Sequence, residues 1–113
     1  MPTTDAEQRW WNALSLTAGV CEELLYRGYL WFYLGRYIPM PYVALLASLF
    51  FGLGHLCLGP PHALRTFLLG LAFWGLYLLT GSILPGMVLH ALIDVRAGAA
   101  LRRAFTEPAP DAA

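Results

Sequence analysis

Two adjacent carboxylates, Glu22 and Glu23, precede Arg27 within one apolar run; His55 lies in a second run, and His90 and Asp94 lie in the last. These are residue types that move protons. Neighbouring carboxylates in a low dielectric resist ionising together, a property that suits a general base working near neutral pH. Glu23 and Arg27 are four apart on one helical face, acid before base, so the pair also reads as a structural ion pair. Glu22 projects about 100° away from Glu23, which leaves it the freer carboxylate. Phe51 shares a face with His55, and His90 shares one with Asp94. The second pairing also reads as a His–Asp hydrogen bond holding helices together.

The surroundings make these groups conspicuous. The 113 residues are 58% hydrophobic and 12% charged, against about 25% charged in an average soluble domain. A chain so short and so apolar cannot bury its hydrophobic surface from water, so lipid is the expected solvent. A charge at mid-bilayer costs about 2.5–3.5 kcal/mol, so the ionisable residues must face one another or a wet cavity. That makes an intramembrane site the default reading. The formal net charge of zero gives no footprint for nucleic acid. Cys21 and Cys57 read as small buried hydrophobes and do not make a disulfide framework.

The expected fold is all-α: a polytopic membrane bundle of about four transmembrane helices behind an interfacial N-terminal helical segment. Thr4 and Glu7 have the spacing of a capping box, starting a helix near Asp5. Running to about Tyr37, it would span roughly 33 residues or about 50 Å, more than one crossing needs. An interfacial part carrying Trp10 and Trp11, a bend near Gly19 and a span from Val20 to Tyr37 are therefore expected. Further apolar runs cover Tyr42 to Leu58, His62 to Leu79 and Ile83 to Ala104, with Pro85 in the first turn of the last. The chain reads as one domain: an interfacial lead-in over 1–17, a core over 18–104 and a disordered tail over 105–113. The N-terminus has no positively charged signal-peptide region, and the C-terminus has no lipidation box. Arg9, Arg65, Arg102 and Arg103 fall on the side of the termini and Arg36 on the other, which places both termini in the cytoplasm. Counting about 1.5 Å per residue brings Glu22, His55, His90 and Asp94 to one depth, in the cytoplasmic half of the bilayer.

Three motifs carry a family resemblance. They are Glu22-Glu23-Leu24-Leu25-Tyr26-Arg27, Phe51-Gly52-Leu53-Gly54-His55 and His90-Ala91-Leu92-Ile93-Asp94, with Thr80-Gly81-Ser82-Ile83-Leu84-Pro85 ahead of the last. In this order, each in an apolar helix, they resemble the CPBP intramembrane proteases, the CAAX protease and bacteriocin-processing family. The resemblance spans about residues 15–96. It implies peptide-bond hydrolysis within a bacterial cell membrane, on a membrane-anchored or lipidated peptide. It implies Glu22 as general base, His55 as its partner in holding water, and His90 with Asp94 at the oxyanion. Arg27 would orient Glu23, and Phe51 would shape the pocket. Asp94 stands where the CAAX branch has Asn; an anionic Asp donates poorly to an oxyanion and would instead orient His90.

The family's history leaves a metal open. Glu22, His55 and His90 could supply three ligands to Zn²⁺, with water as the fourth. No His-Glu-x-x-His signature is present, and general-base activation of water without a metal is the preferred reading. The resemblance also implies further helices before the first motif, so this chain reads as a minimal, truncated or degenerate copy. Self-association through Gly70 and Gly75 would then complete the cavity. The alternative function is a non-catalytic membrane binding or bacteriocin-immunity-like protein on the same scaffold. A small ion carrier would need polar residues across the whole bilayer, and the outer half has almost none.

Overall fold

Thr4 opens the first helix as a capping residue. Its hydroxyl accepts the Glu7 N–H at 3.2 Å, and the Glu7 carboxylate accepts the N–H groups of Thr3 and Thr4 at 2.8 and 3.0 Å. These bonds hold the exposed Glu7 carboxyl at about 2, below its ordinary 4.5. A depressed carboxyl stabilises the fold fully above its unfolded value, and that contribution is lost as pH falls from 4.5 through about 2. An NMR titration of the Glu7 carboxyl is therefore expected to have its midpoint near 2. A midpoint at 4.5 would mean that the capping box is open in solution.

A computed structural model of the chain describes residues 1–106. The expected tail over 105–113 lies outside the described residues from 107 onward; Phe105 and Thr106 are helical. Among the described residues all regular structure is helical. Helix α1 covers Asp5–Glu23 and passes through a π-helical turn, Leu24–Tyr29, into the short α2, Leu30–Leu34. Helix α3 is Met40–Gly54, and a 3₁₀ turn at Leu56–Leu58 leads to α4, Pro60–Thr80. Helix α5 is Leu84–Thr106. The breakers act as their chemistry requires. Gly59 takes a φ of 103° and Gly81 a left-handed φ of 67°, while Pro60 and Pro61 start α4, where a missing N–H costs nothing.

The bend expected at Gly19 is not where the helix departs from regularity. Gly19 sits inside continuous α1, and the irregular turn lies further on, between Glu23 and Leu30. Gly19 is small for another reason: a Cβ there would lie 2.8 Å from the Met87 carbonyl oxygen and 2.9 Å from the Ala91 nitrogen. Helix α5 crosses α1 at that point, backbone against backbone. Gly98 repeats the device under the Trp11 ring, whose indole N–H donates to the Asp94 carbonyl at 2.9 Å. Arg102 adds an ion pair to Asp5 at 2.6 Å. Helix α3 packs along α4 in the same manner, with Gly52 against Ala63 and Phe67.

The two pairs, α1 with α5 and α3 with α4, form a body of 59 × 26 × 23 Å. Its burial is inverted relative to a water-soluble bundle. Glu23, Arg27, Ser48 and His90 are inside, whereas Leu14, Phe32, Phe50, Leu68, Leu79 and Leu92 are exposed. Lipid is the medium that tolerates this arrangement, because an apolar side chain loses nothing there and an unpaired charge loses much. Helices α4 and α5, with 21 and 23 residues, are long and apolar enough to cross a membrane. Helix α3 is apolar but has 15 residues. Both cysteines are exposed on this surface, contrary to the expected burial.

Candidate active site

The first motif is built into the junction between α1 and the π turn. Glu23, the last residue of α1, and Arg27, inside the π turn, form an ion pair at 2.9 Å with both side chains 1% exposed. A buried charge needs every available partner. Arg27 accordingly also donates to the Gly70 carbonyl of α4 at 3.0 Å. Its guanidinium carbon lies 5.2 Å from the ring centres of both Phe51 and Phe73, where the negative ring faces favour a cation. A Cβ at Gly86 would lie 2.9 Å from the Glu23 carboxylate, so the missing side chain makes room for the pair.

Helix α5 brings His90 onto the same carboxylate. Its Nδ1 is 3.0 Å from Glu23 Oε1, which makes that nitrogen the donor and turns Nε2 the other way. Nε2 faces Glu22 Oε2 at 3.6 Å and Asp94 Oδ2 at 3.7 Å. The imidazole stacks on Phe73 with centres 5.5 Å apart and meets the Phe51 ring edge-on at 5.6 Å. Glu22 Oε2 is buried but has no hydrogen-bond partner among the described residues. The division between the two carboxylates expected from helical geometry is observed: Glu23 is committed to Arg27 and His90, and Glu22 is free.

His55 caps the C-terminal end of α3. Its Nδ1 lies 2.8 Å from the Phe51 carbonyl oxygen, and its ring meets Phe51 at 5.0 Å. Phe51 thus stands between the two imidazoles. His55, His90 and Asp94 line one cavity of about 490 Å³ between α4 and α5. The structure therefore gathers Glu22, Glu23, Arg27, Phe51, His90 and Asp94 directly and brings His55 in through the cavity.

A sequence model of the type II CAAX prenyl endopeptidase Rce1-like family matches residues 8–96. The chain belongs to this family. No curated protein and no solved structure matches it. The matched segment of the Rce1-like chain contains all three motifs and every residue of the cluster just described.

Among the described residues no three His, Cys, Asp or Glu side chains are grouped to hold a metal ion. Nδ1 of His90 faces Glu23 and Nδ1 of His55 faces a backbone carbonyl, which fixes each ring and leaves its Nε2 for other partners. Gly70 was expected on an outer, self-associating face, but it is buried against Ser48 and its carbonyl serves Arg27. Gly75 has open space around it. Phe73 and Gly86 complete the Rce1-like cluster without having been singled out from sequence, and Gly70 joins it in a role the sequence did not suggest. A phenylalanine in an apolar helix and a backbone carbonyl carry no sequence signal; an i,i+4 acid–base pair seeking further partners was the one available hint.

Proposed function

We propose that this Rce1-like chain is an intramembrane endopeptidase that hydrolyses a peptide bond in a membrane-anchored or lipidated substrate, without a metal. Four helical crossings, with both termini in the cytoplasm, would bring the site to one leaflet. The observation that carries the reading is Glu22 Oε2, buried, without a hydrogen bond and 3.6 Å from His90 Nε2. An idle carboxylate oxygen beside an imidazole is suited to accept a proton from water.

In this mechanism Glu22 takes a proton from a water molecule that His55 helps to hold. The oxygen adds to the scissile carbonyl as the O–H bond breaks. Doubly protonated His90 donates from Nδ1 to Glu23 and presents its Nε2 proton to the oxyanion. Collapse breaks the C–N bond, and the proton held by Glu22 passes to the leaving amine. Glu23, held in place by Arg27, orients His90, and Asp94 near Nε2 supports the positive charge of the ring. Phe51 and Phe73 wall the imidazole from lipid.

The test compares wild type with Glu22→Ala and His55→Ala in vesicles on a panel of membrane peptides. Loss of cleavage in both variants is expected. Equal turnover in all three would remove the enzyme assignment and favour a non-catalytic binding or immunity-like role on the same scaffold.

A further inference from the structure

Helices α1 and α5 run antiparallel and are tied by Trp11 to Asp94 and, nearer the chain ends, by Asp5 to Arg102. Beside these two ties lies a groove of about 360 Å³ whose lining contains no residue of the three motifs. Its polarity is graded. Arg102, Arg103 and Thr106 line the outer end on α5, and Val95 and Ala99 line the inner part. Gln8 and Asn12 form the opposite wall on α1. Gln8 Nε2 donates to Asn12 Oδ1 at 2.9 Å, which leaves the Asn12 Nδ2 donor without a partner among the described residues. Arg102 gives one N–H to Asp5 at 2.6 Å and keeps its other donors. Arg103 is exposed and has no acidic partner among the described residues. The groove is thus rich in donors and positive charge at one end and apolar at the other.

A phospholipid has the same gradation. On the four-crossing reading this end of the α1–α5 seam lies at the membrane surface, where phosphate, glycerol esters and acyl chains follow one another inward. We propose that the groove binds one anionic phospholipid. Its phosphate meets Arg103 and the remaining donors of Arg102, its ester carbonyl accepts from the Asn12 amide, and an acyl chain begins on Ala99 and Val95. Guanidinium forks match phosphate oxygens, and a basic pocket between helices is a general form of lipid headgroup site. The depths agree. Ala99 and Val95 precede Arg102 by three and seven residues, about 4.5 and 10 Å along α5. The polar layer of a leaflet is about 5–8 Å thick, so Val95 reaches hydrocarbon when Arg102 is level with phosphate. The charge pairing stays at the wet surface and needs no burial. The lipid bridges α1, which carries Glu22 and Glu23, to α5, which carries His90, and its binding is independent of peptide hydrolysis.

The test titrates the full chain in neutral detergent micelles with phosphatidylglycerol or phosphatidylcholine and counts bound lipid by native mass spectrometry. Micelles remove the surface potential of a charged bilayer, so contacts alone decide the result. Wild type is expected to retain one phosphatidylglycerol in preference to phosphatidylcholine. Arg103→Gln is expected to weaken that binding by roughly tenfold, the low end for a hydrogen bond to a charged group. Asn12→Leu, which fills the inner wall, should weaken it as well. Arg9→Gln and Arg65→Gln remove charges from the same end of the bundle but outside the groove, and should bind as wild type does. A thermal melt raised by phosphatidylglycerol in wild type, but not in Arg103→Gln, reads the same site through stability. Equal uptake of the two lipids overturns the proposal. An equal loss in all three arginine variants does so too, because it assigns the effect to diffuse charge. Displacement of the lipid by an equal concentration of glycerol 3-phosphate would make the site one for a soluble phosphate instead.

Discussion

Replacing Glu22 by glutamine is expected to slow peptide hydrolysis by about 10²–10⁴-fold, the range for removing a general base. The amide keeps the shape of the side chain and loses the proton-accepting oxygen. Little stability should be lost, because Glu22 Oε2 has no hydrogen bond and Arg27 is held by Glu23 and Gly70 instead. The measurement is single-turnover cleavage in vesicles beside a thermal melt of the same preparation. A slow enzyme with an unchanged melt supports the assignment. A fully active Glu22→Gln would exclude the carboxylate as base, and a collapsed melt would show that Glu22 is structural.

The second large effect concerns stability. Arg27→Met is expected to cost about 3–5 kcal/mol, the range for stranding one member of a buried pair. Glu23 would then face the apolar interior with His90 as its remaining partner. The double variant Glu23→Gln/Arg27→Met should recover much of that loss, because it removes both charges and leaves a neutral amide beside His90. Thermal unfolding in detergent, followed by tryptophan fluorescence, separates the two. A double variant as unstable as the single would mean that shape rather than charge pairing holds the junction together.

Much of this site could be read from residue order. Glu23 with Arg27 and His90 with Asp94 announce themselves by a spacing of four, which places side chains on one helical face. Counting rise along antiparallel helices brings Glu22, His55, His90 and Asp94 to one depth, and the structure sets Glu22 and Asp94 beside His90, with His55 on the same cavity as His90 and Asp94. Other features had no signal. A π turn at Leu24–Tyr29 changes the helical period over too few residues for an apolar pattern to register it. The role of Gly19 was misassigned because a glycine that admits a neighbouring backbone looks the same in sequence as one that permits a bend. Helix count was only partly legible. Helices α4 and α5 satisfy length and apolarity together, whereas α3 is short and α1 begins with Asp5, Glu7, Gln8 and Arg9.

The satisfaction of Arg27 has a consequence for biogenesis. Its partners come from every stage of synthesis: Glu23 from its own helix, Phe51 from α3, the Gly70 carbonyl and Phe73 from α4, with His90 on α5 closing over Glu23. A nascent chain that has emerged only to α3 therefore carries an incompletely paired cluster that lipid penalises by several kcal/mol. On the four-crossing reading, stable integration of the Glu23–Arg27 segment is expected to follow the arrival of α4 and α5. The insertion machinery would have to shelter the early segments until α5 arrives, and truncation before His90 should leave a chain that is recognised for degradation.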